Sequence, residues 1–274
     1  MIEFRLLGPV RVVVDGVEDP LGGTKPRTVL AALLLADGRA VSDGHLSSLL
    51  WDWHPPATAQ AQMYTYVSRL RRRFGDALPI LRLSGGYRMS VDGLWRDHAE
   101  FARLARTGLG ALGAGRFAQA AAELQAARGL WRGAPVSDAT DYLIDSARPH
   151  LDELHMAVLE GAMEADLALG RHRQLVGELT ELVRENPLWE RLRAHLMIAM
   201  YRCGRQADAM ALFHAGRRVL ADELGVSPGA ALTQAYQTIL TASAEHTLTP
   251  VRAAAPVAPS LGWPGDLART AVAV

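Results

Sequence analysis

Residues 58–91 limit what this chain can fold into more than any other stretch. Four apolar side chains recur there at i, i+4, i+7 and i+11, namely Met63, Val67, Leu70 and Phe74. This spacing predicts an amphipathic helix that begins near Thr58 and buries one face. The helix ends in a basic run, Arg69 to Arg73, and a glycine turn, Ser84-Gly85-Gly86, lies further on. The β-rich stretches on either side of that turn, residues 80–83 and 87–91, predict a hairpin.

The stretches before this helix complete a small mixed domain. Residues 2–7 and 10–14 are rich in β-forming residues, which predicts a small antiparallel sheet. Two helices are predicted next, one over residues 25–36 and one that runs from Ser42, as its N-cap, to Trp51. The predicted order of two strands, three helices and a hairpin is that of a winged helix-turn-helix with an added N-terminal sheet.

The character of the chain changes after Asp92-Gly93. From residue 95 to residue 241 the pattern predicts helices only. Three similar segments begin at Gly115-Arg116, Gly170-Arg171 and Gly204-Arg205, each at the expected start of a helix. The last two are 34 positions apart (170 to 204), the period of tetratricopeptide helical pairs. The first interval is 55 positions (115 to 170), which indicates an insertion, assigned to residues 137–150.

These patterns predict a mainly α-helical protein in three parts. Residues 1–92 form a winged helix-turn-helix with small β-sheets. Residues 95–241 form an all-α domain of tetratricopeptide type. Residues 242–274 are rich in Ala, Thr and Pro, lose helical periodicity and are predicted to be a disordered tail.

Composition narrows the classes of protein that the chain can belong to. Of the 274 residues, 49% are hydrophobic and 21% are charged, so the chain can bury cores, and its formal net charge is zero. Residues 60–90 nevertheless contain six arginines and a single acidic residue, Asp76, and a local positive face is enough to attract nucleic acid. The single cysteine, Cys203, excludes an intrachain disulfide and a thiolate zinc site. No apolar run is long enough to span a membrane, so a cytoplasmic location with no membrane partner is expected.

The cationic helix and hairpin point to double-stranded DNA as the partner. A helix in the major groove and a wing beside the backbone would use cations on both elements. Gln62 is long enough for a bidentate contact to adenine, and Arg69 or Arg72 for one to guanine, whereas the arginine run as a whole suits phosphate. Tyr66 is expected to pack rather than to stack on bases. The predicted DNA-contacting residues of the helix and wing are Gln62, Tyr64, Thr65, Ser68, Arg69, Arg71, Arg72, Arg73 and Arg88. Taken alone, the arginine run also fits a solvated helix face.

The first two predicted helices add three candidates. Lys25 follows Gly22-Gly23-Thr24 at a helix start, where backbone N–H groups favour an anion, so Lys25 and Arg27 are predicted to contact DNA phosphate. The G-x-x-x-x-G-K-[ST] spacing of a nucleotide-binding loop is absent. Ser42, at the start of the second helix, completes the predicted set.

No combination of residues suited to catalysis occurs in the sequence. His150 and His155 are five positions apart and lack the glutamate of the H-E-x-x-H zinc motif, and no G-x-S-x-G nucleophile elbow occurs. The tryptophans at positions 51, 53, 131 and 189 fall at predicted helix ends and turns, where a packing role is expected. Enzymatic activity, a bound metal and a cofactor are therefore not expected.

Several motifs together resemble the Streptomyces antibiotic regulatory protein (SARP) family of transcriptional activators. They span residues 2–240 and include FRLLGPVRV, GGTKPRTVLAALLL, YVSRLRRRFG, GGYRM, DHAEFARLA and NPLWERLRAHLMIAMYRCGRQADAMALF. The resemblance implies an OmpR-type winged helix joined to a tetratricopeptide-like bacterial transcriptional activation domain. The family's DNA-contacting positions map onto Gln62, Thr65, Ser68, Arg69, Arg72 and, in the wing, Arg88. Gln60 and Ala61 stand where many members carry Arg and Asn.

The resemblance also implies a function. Members bind direct repeats near the −35 region of a promoter and contact RNA polymerase, including its sigma subunit. The resulting hypothesis is an activator of a secondary-metabolite (antibiotic) gene cluster, associated with the nucleoid and bound to DNA as a dimer. Three alternatives remain open: a DNA-binding repressor, a regulator that senses a small ligand, and a helical scaffold whose winged module docks proteins.

Overall fold

The chain folds into two compact units. A computed structural model describes residues 2–241; Met1 and residues 242–274, and with them the predicted tail, lie outside the described residues. The first unit consists of residues 2–104 and 127–155. The second unit consists of residues 105–126 and of the described residues from 156 onward.

The N-terminal sheet of the first unit has the strand order β3-β2-β1-β7. Strands β1 (Ile2–Arg5), β2 (Arg11–Val14) and β3 (Val17–Asp19) pair antiparallel, and β7 (Trp95–Arg96) pairs parallel with β1. The expectation of helices only from residue 95 was therefore wrong at the start of that range. The outer edge of β1 is hydrogen-bonded by a strand that lies about ninety positions later, and local periodicity carries no sign of such a pairing.

Three helices and a second sheet form the winged helix. Helices α1 (Thr24–Leu35), α2 (Asp43–Trp51) and α3 (Ala59–Phe74) follow one another as predicted. The side chain of Ser42 accepts a hydrogen bond from the backbone N–H of His45 at 3.1 Å, which confirms Ser42 as the N-cap of α2. The second sheet has the order β4-β6-β5 and consists of β4 (Ala40–Ser42), β5 (Ile80–Leu83) and β6 (Gly86–Met89).

The core of the first unit is apolar and draws on distant parts of the chain. Met63, Val67, Leu70 and Phe74 of α3 are buried, which confirms the predicted stripe. They belong to the same core as Phe4 of the first sheet and Leu30 of α1. The buried side chains Val136, Ala139, Leu143 and Ala147 also belong to this core. The residues assigned to an insertion, 137–150, therefore help to build the winged-helix unit.

Asp97 is the main buried charge of the first unit, with a side chain that is 1% exposed. Its carboxylate accepts hydrogen bonds from the backbone N–H groups of Leu6, at 2.7 Å, and Leu7, at 2.9 Å, and forms an ion pair with Arg132 at 2.8 Å. Burial opposes ionisation, but hydrogen bonds from His98 and from the backbone of Leu6 and Leu7 hold the pKa of Asp97 below its usual value. The carboxylate thus stays charged and joins three separate stretches of the chain.

Thr140 makes a second long-range polar connection. Its backbone N–H donates to the hydroxyl of Thr28 in α1 at 2.9 Å, and its own hydroxyl donates to the carbonyl oxygen of Leu49 in α2 at 2.5 Å. Thr28 is fully buried. Thr140 therefore fixes α1 and α2 relative to each other.

The remaining elements are helical. They are α4 (Asp97–Gly113), α5 (Phe117–Arg128), α6 (Asp141–Ala168), α7 (His172–Glu185), α8 (Glu190–Arg202), α9 (Gln206–Leu224) and α10 (Ala230–Thr241). Helices α4 and α6 begin in the first unit and end in the second. The core of the second unit contains Leu179 of α7, Leu196 of α8 and Phe213 of α9. Within residues 2–241, the helices are too short or too polar to cross a membrane.

The three Gly-Arg segments form the same turn three times. Gly115, Gly170 and Gly204 have φ angles of 72°, 77° and 78°. The arginine that follows each glycine donates its backbone N–H to a carbonyl five residues earlier, on Ala111, Asp166 and Met200 respectively, at 2.9, 3.0 and 2.9 Å. This is the six-to-one bond of a Schellman motif, which ends a helix through a left-handed residue. Each segment thus ends one helix and opens the next, as predicted.

The two compact units do not coincide with the predicted parts of the chain. The division expected near residues 92–95 separates two sequence patterns, whereas residues 127–155 pack with the N-terminal residues. The physical reason is that these residues supply apolar core and the hydrogen-bond partners of Leu6, Leu7 and Thr28. The tertiary unit around the winged helix is therefore larger than residues 1–92.

Candidate nucleic-acid interface

Helix α3 carries a continuous exposed face opposite its buried stripe. Tyr64 is 63% exposed, and Thr65, Ser68, Arg69 and Arg72 are exposed as well. The hydroxyl of Thr65 donates to the carbonyl of Ala61 at 2.8 Å, which leaves its lone pairs and its methyl group at the surface. The sequence places these side chains together because they recur at helical spacing on one side of α3.

The arginine run of α3 divides into two groups by its contacts. Arg71 is half-buried and donates from Nε and Nη2 to the carbonyl oxygen of Ile80, at 3.0 and 2.6 Å. Arg73 forms an ion pair with Asp19 of β3 at 2.5 Å. These two arginines hold α3 to the strands on either side of it. Arg69 and Arg72 are exposed and have no ion pair within the described residues.

The wing adds one exposed cation and one paired cation. Arg88 of β6 is exposed and lies opposite Leu81 of β5. Arg82 of β5 forms a bidentate pair with Asp43 of α2, at 2.5 and 2.7 Å, and lies 4.6 Å from the centre of the Tyr87 ring. The hydrogen bond with Asp43 raises the pKa of Arg82. Both arginines are exposed, but Arg82 joins the wing to the start of α2, whereas Arg88 has no ion pair within the described residues.

Gln62 is held by two hydroxyl groups of its own helix. Its Nε2 donates to Oγ1 of Thr58 at 3.0 Å, and its Oε1 accepts from the hydroxyl of Tyr66 at 3.0 Å. Tyr66 is partly buried and packs against the core, as its predicted packing role requires. The sequence indicated that Gln62 is long enough to reach a base but not that two neighbours hold its amide.

The candidates on the first two helices have other partners in the structure. The Lys25 ammonium lies 4.8 Å from the centre of the Trp51 ring. Arg27 forms an ion pair of 3.4 Å with Asp138, which also pairs with Arg11 at 2.7 Å. Ser42 uses its side chain to cap α2. None of these three residues lies on α3 or on the β5–β6 hairpin.

Two tryptophans show how far a packing role can be read from sequence. Trp131 stacks on His155 with 3.8 Å between ring centroids, and burial lowers the pKa of His155 to about 4. Trp53, between α2 and α3, is 87% exposed, so the expected packing role was wrong for this residue. Trp53 lies in the Pro-containing connection between α2 and α3, outside both helices, where few elements are at hand to bury it, and the Pro55-Pro56 pair was the sequence signal for that connection.

The described residues contain no group of three or more His, Cys, Asp or Glu side chains that could hold a metal ion. In the second unit Glu164, Arg191 and His195 line a small pocket. Burial raises the pKa of Glu164 to about 7 and lowers that of His195 to about 4. Both residues lie outside α3 and the β5–β6 hairpin.

A winged helix with an exposed cationic recognition face, followed by helical repeats, defines the structural class of this protein. Residues 96–240 match the sequence profile of the bacterial transcriptional activator domain. The chain belongs to the SARP family of transcriptional regulators. This family consists of regulators and not of enzymes, in agreement with the absence of a catalytic motif in the sequence.

Several named relatives cover nearly all of the two units. The regulatory protein AfsR of Streptomyces coelicolor is 40% identical over 244 residues, which is 88% of this chain and 24% of AfsR. The regulatory protein DnrI of Streptomyces peucetius is 36% identical over 252 residues, which is 88% of this chain and 93% of DnrI. The solved structure of Mycobacterium tuberculosis EmbR in complex with a low-affinity phosphopeptide matches with a TM-score of 0.83 and 34% identity, over 87% of this chain and 65% of that one. The chain thus spans about a quarter of AfsR and less than two thirds of EmbR.

Proposed function

We propose that the protein activates transcription by binding promoter DNA with α3 in the major groove and the β5–β6 wing beside the backbone. The observation that carries this proposal is the exposed face of α3, where Arg69 and Arg72 lie one helical turn beyond Thr65 and Ser68, respectively. Polar side chains next to two guanidinium groups without an ion pair among the described residues suit a groove whose floor carries base edges and whose rims carry phosphates. Arg88 extends the cationic surface to the wing.

The contacts of each arginine suggest distinct roles in such a complex. Arg69, Arg72 and Arg88 are free to contact phosphate or guanine. Arg71 and Arg73 set the position of α3 between β5 and β3, and add positive charge from a fixed place. Arg27, paired with Asp138, and Ser42, which caps α2, would act chiefly by holding α1 and α2 in place. Lys25 and Tyr64 remain candidates for contact at the margin of the interface.

The wider function follows from family membership. We infer that residues 1–92 read tandem direct repeats near a −35 region and that residues 95–241 recruit RNA polymerase, including its sigma subunit. The match of residues 96–240 to a transcriptional activator domain supports the second role. Two copies would bind side by side as a dimer, one on each repeat. Relatives named as regulatory proteins in Streptomyces support a biosynthetic gene cluster as the target.

Salt dependence of binding tests the assignment of the free arginines. The protein should shift a duplex from a promoter beside its own gene, and the logarithm of affinity should fall linearly with the logarithm of salt concentration. Removing one phosphate-contacting arginine should reduce that slope by about 1, so Arg69→Ala and Arg72→Ala together should reduce it by about 2. Arg106→Ala, an exposed arginine of α4, is the matched control and should leave the slope unchanged. An unchanged slope in the double variant would overturn the site.

Transcription with purified polymerase tests activation against the alternative of repression. The protein should raise the yield of transcript from a promoter that it binds, and the double arginine variant should not. A fall in transcript on addition of the wild-type protein would identify a repressor. Absence of any DNA shift at low salt would favour a protein-docking module instead.

A further inference from the structure

Thr58, Gln62 and Tyr66 form a hydrogen-bonded chain along one side of α3. The three residues lie at i, i+4 and i+8, so their side chains stand one above another on the helix. Gln62 is in the middle, with its amide nitrogen 3.0 Å from Oγ1 of Thr58 and its amide oxygen 3.0 Å from the hydroxyl of Tyr66. Both ends of one amide are therefore occupied by hydroxyl groups from the same helix.

The two hydroxyl groups are available to Gln62 for different reasons. The ring of Tyr66 packs against the core of the first unit, which fixes where its hydroxyl points. Thr58 occupies the N-cap position of α3, yet its side chain makes no capping hydrogen bond to the helix backbone. The Thr58 hydroxyl is therefore used on Gln62 and not on helix capping. Replacing the Thr58 hydroxyl therefore removes no capping hydrogen bond from the start of α3.

The amide that results has a defined remaining capacity. A glutamine side chain has two N–H donors and one oxygen with two lone pairs. One donor is used on Thr58 and one lone pair on Tyr66, so one donor and one lone pair of the same amide remain. The major-groove edge of adenine offers an acceptor, N7, beside a donor, the N6 amino group. The two patterns are complementary.

Holding the amide also lowers the entropic cost of contact. A free glutamine side chain has three rotatable bonds and loses rotamer freedom when it is fixed. Within the chain of hydrogen bonds that freedom is already reduced before DNA arrives. Preorganisation of this kind strengthens a contact without any new atom at the interface.

We propose that Thr58 and Tyr66 are positioning residues that fix the amide of Gln62 and so set an adenine preference at one position of the DNA site. They act through Gln62 and do not touch DNA themselves. This inference rests on the proposed DNA-binding function. It adds two specificity-determining residues that charge and helical spacing alone do not reveal.

The test begins by measuring which DNA sequence the wild-type protein prefers. The protein is used to select duplexes from a pool in which the central stretch is randomised. The wild-type protein should enrich a site that contains adenine at a defined position. Gln62→Ala should still bind, but its preference for adenine over other bases at that position should fall about tenfold or more. The full chain is used throughout.

Variants of the two hydroxyl groups then test positioning. Tyr66→Phe keeps the packed ring and Thr58→Val keeps the side-chain shape, and each should lower the adenine preference at the same position by about three- to tenfold. Thr58→Ser restores a hydroxyl and should restore the preference. Tyr142→Phe, an exposed tyrosine of α6, is the matched control and should behave as wild type. The readout is a ratio of two affinities for one protein sample, so a change in the folded fraction cancels.

The double variant Gln62→Ala/Tyr66→Phe separates positioning from a general structural effect. If Tyr66 acts through Gln62, the double variant should show the same adenine preference as Gln62→Ala alone. An additional loss in the double variant, or a wild-type preference in Tyr66→Phe and Thr58→Val, would overturn the inference while the proposed function stands. A wild-type preference in Gln62→Ala would do the same. If the wild-type protein binds no duplex at low salt, the proposed function fails and this inference fails with it.

Discussion

The two compact units differ in which stretches of the chain their buried polar groups connect. In the first unit the carboxylate of Asp97, 1% exposed, is surrounded by backbone donors and an arginine, and Thr28 and Thr140 share hydrogen bonds. In the second unit the imidazole of His195 is buried with no hydrogen-bond partner for Nδ1 among residues 2–241, and burial raises the pKa of Glu164 to about 7. Each unit also buries other side-chain nitrogens without a partner among residues 2–241, such as Nε1 of Trp131 in the first. The difference therefore lies in the long-range bonds of Asp97 and Thr140, and not in how completely each unit satisfies its polar groups.

This difference follows from how each unit is assembled. The bonds of Asp97 and Thr140 join residues about ninety positions or more apart, such as Leu6 with Asp97 and Thr28 with Thr140. The second unit repeats a local Gly-Arg turn and packs successive helices against one another, as helical repeat proteins do. The first unit should therefore depend on single polar side chains for one fixed geometry of α1, α2 and α3. The second should tolerate polar changes and respond to pH.

Substitution of Asp97 should destabilise the protein most. Asp97→Asn removes the charge that Arg132 needs and turns one acceptor toward Leu6 or Leu7 into a donor. Breaking a buried ion pair from one side costs about 3–5 kcal/mol. We expect the free energy of unfolding of the first unit, from denaturant titration, to fall by about that amount.

The pH dependence of the same residue has a definite sign. Because the pKa of Asp97 is lowered in the folded state, its contribution is present at neutral pH and is lost as the pH falls through the folded-state pKa. The gap between wild type and Asp97→Asn should therefore narrow in acid. Asp145→Asn, an exposed carboxylate of α6, is the control. If Asp97→Asn and Asp145→Asn are equally stable, the first unit does not depend on the buried carboxylate of Asp97.

Thr140→Val should have the next largest effect. The change keeps the shape of the side chain but leaves the carbonyl of Leu49 without its donor, whereas the hydroxyl of Thr28 can still donate to the carbonyl of Thr24 at 3.0 Å. An unsatisfied buried group costs about 1–3 kcal/mol, and thermal unfolding of the first unit should report a loss of that size. Thr140→Ser keeps the hydroxyl and should lie much closer to wild type. If valine and serine are equally stable, the hydrogen bonds of Thr140 contribute nothing to the fold.

Local periodicity predicted helices α1 to α3, strands β1 and β2 and the β5–β6 hairpin of the first unit, but not strands β3, β4 and β7 or the long-range contacts that connect these elements. The stripe of Met63, Val67, Leu70 and Phe74 is buried because a helix must place these four side chains on one face. Ser42 caps α2 because a serine before an apolar helical pattern has little else to bond. The pairing of β7 with β1, and the position of residues 136–147 in the core, depend on long-range packing that no local pattern records.

In the candidate interface, too, the sequence showed which side chains are present but not which partners they contact. Sequence placed Arg69, Arg71, Arg72 and Arg73 in one basic run, since charge and spacing are visible there. It could not divide the run, because the partners of Arg71 and Arg73 lie on strands that fold back from elsewhere. The bonds of Gln62 were hidden for a different reason: Thr58 and Tyr66 stand at helical spacing from it, but the rotamers that bring the three side chains together are not visible in the sequence.

The three repeated turns provide a prediction of intermediate size within the helical elements. Gly170→Ala and Gly204→Ala place a side chain at φ angles of 77° and 78°, where a Cβ atom is crowded by the following carbonyl. Each should lower the free energy of unfolding by about 1–2 kcal/mol, by nearly the same amount. Gly177→Ala, inside α7 with open space around it, should instead be neutral or stabilising. Unequal losses at residues 170 and 204 would show that the two turns are not equivalent.

Glu164→Gln should produce the smallest effect, and one that depends on pH. Burial raises the pKa of Glu164 from 4.5 to about 7, against the lowering effect of Arg191 and with a further rise from Glu160. A raised pKa means that Glu164 stabilises the fold as the neutral acid below its unfolded value and loses that contribution as the pH rises through about 7. Glutamine stays neutral at every pH, so the variant should be more stable than wild type at pH 8 but not at pH 5. Because the side chain is partly exposed, solvent screening limits the expected gain to about 1 kcal/mol.

The comparison of wild type with Glu164→Gln must separate the titration of Glu164 from that of His195, which lines the same pocket. Burial lowers the pKa of His195 to about 4, so the folded protein keeps this imidazole neutral from pH 5 to pH 8 in wild type and variant alike. The difference between the two unfolding curves then reports the carboxyl group alone. Glu223→Gln, on the exposed end of α9, should show no gain at either pH. A gain for Glu164→Gln that is equal at pH 5 and pH 8 would mean that packing, and not burial of a charge, distinguishes the second unit at this position.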